Sequence, residues 1–320
     1  MRASVTAVEF VNDNRAAYPN VGVSIVAYKP EAEALQRLLA AIAGQFGAIV
    51  VIDNEGATAA IGAGGHDGID IIDPGGNIGV AAGHNLSLLR IFAAGCSHAL
   101  LFDQDSLPQG DMVGELLRIE QALLADGRAV GAIGPMLVAA DDRLTGFIRF
   151  SGLWRHIPRR GDADLPVPAC RSDFLITSGT LLRREVFERV GPFDENLFID
   201  NVDLEWCCRA TSLGFACYGA VEARMEHALG DYTLHYPLAR RLIPTVHNPM
   251  RIYYITRNRL LLYSMPHVPP GWKLADFPRM VAKIVLFGLL VPPRLRYLRA
   301  SLAGFLDGLR GRGGPSRKPF

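Results

Sequence analysis

Four stretches of the chain place carboxylates, amides and glycines where a phosphorylated ligand and a hard cation can be held. In LLFDQDS an apolar run ends in Asp103 and Asp105. On an extended strand residues i and i+2 point to one side, so both carboxylates would face the same ligand. A Mg2+ or Mn2+ ion on a diphosphate needs only one or two carboxylates beside water and phosphate oxygens. A solvated strand end, with Asp105 and Ser106 forming a turn or helix cap, competes with that reading. In VVIDNEG, Asp53 and Asn54 close another apolar run. A carboxylate there can accept from a base N–H or a ribose hydroxyl, although taken alone a turn aspartate explains the motif better.

GGNIGVAAGHN is the third stretch. Gly75, Gly76, Gly79 and Gly83 permit close backbone approach, and Asn77 and Asn85 offer amides. The helix that follows would turn its N-terminus towards a phosphate or ribose. The pattern is neither the G-x-G-x-x-G fingerprint nor a P-loop, and Gly79 with Gly83 also suits a helix packed tightly on a sheet. The fourth is LFIDNVDLEW, with Asp200, Asp203, Glu205 and Trp206 in an apolar setting. On a helix residues 199, 202, 203 and 206 share a face, which sets Asp203 among apolar neighbours at the N-terminal end. An ionised carboxylate there, within reach of a hydroxyl, is a general base; a capping aspartate is the alternative. Burial would raise its pKa, and the helix dipole would lower it.

Three weaker signals accompany these. MEHALGD offers His227 and Asp231, and a neutral imidazole binds a metal or a phosphate oxygen as readily as it fills a structural niche. RIYYITRNR sets Arg251, Arg257 and Arg259 among tyrosines, as phosphate clamps or as an interfacial surface. Ser178-Gly179 would let an acceptor approach the backbone, or would simply pack.

Elements of the right kind exist to position these residues. Runs rich in β-branched residues at 21–28, 48–54, 68–73 and 98–105 read as strands, with helical spacing at Leu35, Leu38, Leu39 and Ile42 and again at Leu86, Leu89 and Phe92. Alternating strands and helices imply a mostly parallel sheet flanked by helices, whose crevice lies beyond the carboxyl ends of the strands. Further on, 129–138 and 174–182 read as strands. Residues 184–190 read as a short helix, and 202–213 as an acidic-aromatic helix closed by Gly214.

A chain of 320 residues with 49% hydrophobic content can bury a large core. Its formal charge of +1 is unevenly spread: net +8 lies from Gly271 onward, leaving −7 for the rest. That distribution speaks against a nucleic-acid binder. Five cysteines without a C-x-x-C pair suit a reduced, cytoplasmic chain, and no secretory signal is visible at the start. The apolar run 280–291 is well short of the roughly 20 residues that span a bilayer. Two regions are expected: residues 1–245 as the sheet domain, and 246–320 as a basic, aromatic helical appendage ending in a flexible tail, GRGGPSRKPF. In that appendage, 280–309 mixes an apolar face with Arg294, Arg296 and Arg299. It suits the inner face of a plasma membrane, a dimer contact or a solvated helix.

Taken in order, VSIVAY, VVIDNEG, GGNIGVAAGHN, LLFDQDS, SGTLLRREVFERVGPFDENLFID, NVDLEWCCRA, HALGD and YYITRN resemble the inverting GT-A glycosyltransferases of family 2, the rhamnosyltransferases among them. The likeness extends over about 21–262. It implies a Mg2+ or Mn2+ site at Asp103 and Asp105, and Asp203 as base; His227, on its own motif, is a further candidate ligand to that site. The nucleotide would lie against Asp53, Asn54, Asn77, Gly79, Asn85, Asp103 and Gln104, and the acceptor or diphosphate near Gly179, Asp200 and Arg257. The pattern departs where Val202 replaces an acidic residue and Glu55-Gly56 replaces Gly-Ser. The resemblance implies transfer of a sugar, L-rhamnose from dTDP-L-rhamnose, to a saccharide or lipid-linked saccharide in cell-envelope polysaccharide synthesis. A nucleotidyltransferase would need a Gly-rich, basic triphosphate loop near the start, and VGVSIVAYKPEAEA has none. Retention of Asp103, Asp105 and Asp203 together argues against an inactive nucleotide-sugar or carbohydrate-binding scaffold.

Overall fold

The computed structural model describes residues 16–62, 68–139, 143–226 and 246–316. The first half alternates as expected: β1 (Tyr18–Tyr28), α1 (Ala32–Ile42), β2 (Phe46–Glu55), α2 (Ala57–Ile61), β3 (Ile69–Ile72), α3 (Gly79–Ala93) and β4 (His98–Asp103). Then come β5 (Leu107–Gln109), α4 (Met112–Ala125), β6 (Val130–Val138), β7 (Arg149–Ser151), β8 (Trp154–His156), β9 (Ala169–Ser172) and β10 (Leu181–Arg183). The chain continues through α5 (Arg184–Val190), α6 (Val202–Ser212), β11 (Ala216–Glu226), α7 (Pro249–Ser264), α8 (Pro270–Leu290) and α9 (Arg294–Leu309).

The main sheet runs β3-β2-β1-β4-β10-β6-β11-β5, with β9 beside β11. Its strands are parallel except β10, β5 and β9. Period-2 alternation in the buried strands feeds two cores. Val23 and Ile25 of β1 pack with Leu35, Leu38 and Leu39 of α1 and Leu116 and Ile119 of α4 on one face. On the other, Val26, Val50 and Ile52 meet Leu88 and Ile91 of α3 together with Trp206 of α6. Helices therefore cover both faces of a mostly parallel sheet, and the free edge for a ligand is its carboxyl end.

Three sequence expectations are corrected. The strand expected over 98–105 stops at Asp103, because Ser106 N–H folds back to the Asp103 carbonyl at 3.2 Å. Beyond it the Gln104 amide takes over the pairing, accepting from Tyr28 N–H at 2.7 Å and donating to Tyr28 C=O at 3.2 Å. Of 174–182 only the end is strand; Gly179 at φ +78° turns the chain there, its N–H on the Leu101 carbonyl. The tail is docked as far as it is described: Gly314 N–H donates to Asn196 C=O at 2.7 Å and Ser316 N–H to the Tyr254 hydroxyl at 2.8 Å. β11, unforeseen, is rich in alanine and has one β-branched residue, Val221, so its strand character comes from pairing with β6 and β9 rather than from propensity.

The C-terminal helices join the same body. Leu261, Leu262, Val268 and Trp272 belong to the core around Trp206. Helix α9 lies against α7 through Gly304, where an added Cβ would collide with the Tyr253 carbonyl. Gly304→Val should therefore prise the two helices apart and lower the urea unfolding free energy by roughly 1–3 kcal/mol; an unchanged midpoint would contradict this packing.

Candidate active site

Strand register brings Asp53 and Asp103 to opposite sides of one strand end, since Ala27 of β1 pairs with Asp53 and Val26 with Asp103. Asp53 is largely engaged at home. It accepts from Ala57 N–H at 2.7 Å, Thr58 N–H at 2.8 Å and the Thr58 hydroxyl at 2.6 Å, and so caps α2. Burial pushes its pKa up, but the bonds from Thr58 and Ala57 outweigh this and hold it below the ordinary value. The carboxylate is thus ionised and fixed in direction.

The glycine-rich turn is pinned from within. Asn54, 2% exposed, accepts from Ile78 N–H and donates to Gly79 C=O, both at 3.2 Å. Asn77, exposed, accepts from Gly79 N–H at 2.9 Å. Gly79 has φ +85°, and a Cβ there would lie 2.6 Å from the Phe198 ring and carbonyl. The expectation of an open helix N-terminus is corrected here. Val80 and Ala81 N–H both donate to the Phe198 carbonyl, at 2.7 and 3.3 Å, so these donors of α3 serve the protein rather than an anion. Asn85 is likewise buried in the interior of α3, bonding Phe193 N–H and C=O at 2.9 Å and Glu195 at 3.0 Å.

Asp103 is half-buried and Asp105 exposed, and they do not share a strand face, because Asp105 lies in the turn after β4. What fixes the turn is Ser178, whose hydroxyl accepts from Asp103 N–H at 3.0 Å and pairs with the Ser106 hydroxyl. Gly179 sits tightly against Pro135 and Met225, where a Cβ would come within 2.6 Å of the proline. His227 and Asp231 lie outside the described residues. Among the described residues no group of three His, Cys, Asp or Glu is placed to hold a metal ion.

Opposite these strand ends stands the loop before α6. Phe198, Asp200 and Asn201 all have positive φ, at 64°, 63° and 62°, a costly cluster for non-glycine residues, at roughly 1–3 kcal/mol each. Helix α7 holds it. The Asn258 amide, fully buried, donates to the carbonyls of Leu197, Ile199 and Asp200 at 2.9, 2.7 and 2.8 Å. Arg257, 1% exposed, donates to Asn196 C=O at 2.9 Å, Leu197 C=O at 3.0 Å and the Gly314 carbonyl of the tail. Its guanidinium lies 4.9 Å from the Tyr254 ring centroid. The reading of Arg257 as a diphosphate clamp is corrected on this geometry: its donors are buried on backbone oxygens. Asp200 pairs with Arg251 at 2.8 Å.

Asp203 occupies the first turn of α6, half-buried. Burial pushes its carboxyl up to about 7; Leu204 N–H, bonded at 2.9 Å, pulls it down, while the negative fields of Asp103 and Asp200 add to the rise. The carboxylates of Asp103 and Asp200 are therefore near enough for their charge to bear on Asp203. Glu205 is turned away and buried between Arg209 at 2.7 Å and His267 at 2.9 Å. Trp206 anchors the helix through its indole N–H on Gly191 C=O at 3.0 Å. Sequence reasoning named Ser106 only as part of a competing turn with Asp105 and did not single out Asn258, nor the hydroxyl of Ser178 as a support; only the string YYITRN carried a trace of Asn258.

A helix-flanked, mostly parallel sheet with carboxylates at its carboxyl edge is a nucleotide-sugar architecture of GT-A type. No protein-family model matches the chain. It is 30% identical over 305 residues to the dTDP-rhamnosyl transferase RfbF of Shigella flexneri, covering 93% of this chain and 98% of that protein. Among solved structures it resembles GalNAc-T7 with UDP, GalNAc and Mn2+, at TM-score 0.57 and 12% identity over 93% of this chain, which spans 56% of the GalNAc-T7 chain. S. aureus TarS 1-349 in complex with UDP has TM-score 0.46 and 11% identity, with 92% of each chain covered. The chain belongs to the rhamnosyltransferase-like GT-A glycosyltransferases of family 2, and its activity is glycosyl transfer.

The corrected place of Arg257 is open to a direct check. Arg257→Ala strands several buried carbonyls, so the unfolding free energy in urea should fall by at least about 3 kcal/mol. A variant of wild-type stability that merely binds nucleoside diphosphate less well would restore the clamp.

Proposed function

We propose that this chain moves L-rhamnose from dTDP-L-rhamnose to a hydroxyl of a saccharide or lipid-linked saccharide in cell-envelope polysaccharide synthesis, in the cytoplasm, with inversion. Residues 1–245 would form the transfer domain and 246–320 the accessory helical region. The observation that carries the chemistry is the Asp203 carboxyl, half-buried in the first turn of α6 near Asp103 and Asp200, where burial raises it to about 7. The donor and its sugar are supported by the name of the Shigella flexneri relative, a dTDP-rhamnosyl transferase.

In this reading the acceptor oxygen attacks the anomeric carbon opposite the diphosphate, forming the new C–O bond as the sugar–phosphate bond breaks. The nucleoside diphosphate leaves with that electron pair, and the hydroxyl proton passes to the Asp203 carboxylate. Asp53 and the 77–79 turn border the nucleoside, and Asp200, held by Arg251, borders the acceptor. The donor set suits a hard cation: Asp103 and Asp105 supply carboxylates, and two are enough when phosphate oxygens and water complete the shell. A Mg2+ or Mn2+ ion bound there would supply charge neutralisation for the departing diphosphate. Ser178 and Ser106 hold the turn that carries both carboxylates.

Asp203→Asn should lower kcat by roughly 10²–10⁴-fold while donor binding, read by calorimetry, survives. Wild-type kcat/KM should rise with pH and level off above about 7. The same carboxyl sets a stability trend of opposite sign. The unfolded carboxyl titrates near about 4 and the folded one near about 7, so folding takes up a proton between them. Wild-type stability is then fully present below about 4 and declines as pH rises through about 7, whereas Asp203→Asn escapes the decline and should be the more stable protein at pH values above about 7. Near-normal turnover of Asp203→Asn would show that the base lies elsewhere.

Metal dependence has its own test. Transfer from dTDP-L-rhamnose should cease in EDTA and return with Mn2+, and Asp105→Ala should nearly abolish it; full activity in EDTA overturns the cation's part.

A further inference from the structure

Residues 274–309 hold eleven of the seventeen exposed large apolar side chains among the described residues. They are ordered. On α8, Leu274, Phe277, Val281, Val285 and Leu289 recur every three or four residues, and at about 100° per residue they fall within an arc of about 120°. On α9, Leu295, Leu298, Leu302, Leu306 and Leu309 fall within about 80°. The opposite faces are spent on α7: Tyr297, Gly304 and Gly308 of α9 lie inward, as do Trp272, Asp276 and Phe287 of α8. The two outer stripes meet where Leu298 approaches Gly288. An apolar surface of this size marks a docking site.

Charge decides what docks there. From Gly271 onward the chain has ten Lys or Arg and only two acidic residues, Asp276 and Asp307. Both are buried and paired, Asp276 with Arg259 and the Tyr263 hydroxyl, and Asp307 with Arg312 and the Tyr253 hydroxyl. The outer charge is therefore of one sign, with Arg279, Arg294, Arg296, Arg299 and Arg310 exposed. Arg294 and Arg299 flank the α9 stripe on either side by helical position. A second copy of the chain on this face would oppose arginines to arginines across a two-fold contact. Lipid phosphates would pair with them while the acyl boundary takes the leucines. No helix of the described residues is long and apolar enough to cross a membrane.

We propose that the outer face of α8 and α9 lies on an anionic phospholipid surface, with both helices in the interfacial plane. Helix α9 packs along α7, and α8 is tied to α7 through Asp276 on Arg259 and the Tyr263 hydroxyl; Arg257 and Asn258 of α7 hold the loop carrying Asp200. Docking thus fixes the cleft's height and tilt over the bilayer.

The test uses the full chain and vesicles, and it reads binding alone, so its outcome is independent of which sugar is transferred. Co-sedimentation with phosphatidylglycerol–phosphatidylcholine vesicles should be strong, and weak with phosphatidylcholine alone or at high salt. The pair Leu295→Ser and Leu302→Ser alters exposed side chains only and should keep the wild-type unfolding midpoint while weakening binding at least roughly tenfold. The pair Arg294→Gln and Arg299→Gln should cost a similar factor on anionic vesicles and nothing on neutral ones. The proposal falls if wild-type protein ignores anionic vesicles or if both variants bind as well as wild type. It falls equally if sedimentation velocity reveals a dimer that the leucine pair dissolves, since the face would then belong to a second copy.

Discussion

The backbone carbonyls of Asn196, Leu197, Ile199 and Asp200 end on two neighbouring side chains, Arg257 and Asn258, both fully buried on α7. That grip lets three non-glycine residues in the loop keep positive φ, because a conformation costing a few kcal/mol persists only when its surroundings over-determine it. From the held loop the Phe198 carbonyl caps α3, its ring stacks on Tyr254 at 5.0 Å, and Asp200 reaches Arg251. The glycine-rich turn, the loop carrying Asp200 and the docked tail are thus referred to one buried guanidinium and one buried amide.

The loop feeds directly into α6, and with it into the electrostatics of the cleft. Asp203 is set where desolvation outweighs the pull of Leu204 N–H, and where Asp103 and Asp200 add their own fields. Such an arrangement disfavours the folded, ionised state, yet it tunes a carboxylate to accept a proton near neutrality. Glu205, two residues on, shows how narrow the choice is: it faces Arg209 and His267 and is spent on structure. Rotation around one helix separates a group that can do chemistry from one that packs.

The last helices carry a different division of labour. Their inward faces supply aromatic and glycine contacts to α7, with Phe287 against Tyr297 at 5.3 Å and Gly304 against Tyr253. Their two acidic residues are turned in to satisfy buried donors, which leaves the outside apolar and basic. The same two helices therefore pack inward on α7 and leave an apolar, basic surface outward.

The sequence by itself determined the layered α/β core, because β-branched runs at 21–28 and 48–54 and the 3.6-period leucines of α1 can bury their faces in few other ways. It also placed α5 and α6, with Gly191 and Gly214 at φ +92° and +87° ending them. It brought Asp53 and Asp103 forward as acidic residues closing apolar runs, and Asp203 as one opening an acidic-aromatic helix. What those residues do was decided by tertiary structure. Asp53 proved to cap α2, Asp105 to leave the strand, Arg257 to bind carbonyls, and 311–316 to dock. For Asp53 and Asp105 the deciding bonds are local, to Ala57 and Thr58 and within the Asp103–Ser106 turn, and the sequence left those turns open as alternatives. For Arg257 and the tail the partners lie about sixty or more residues away in the chain, chosen by proximity in space where no local period or composition records them.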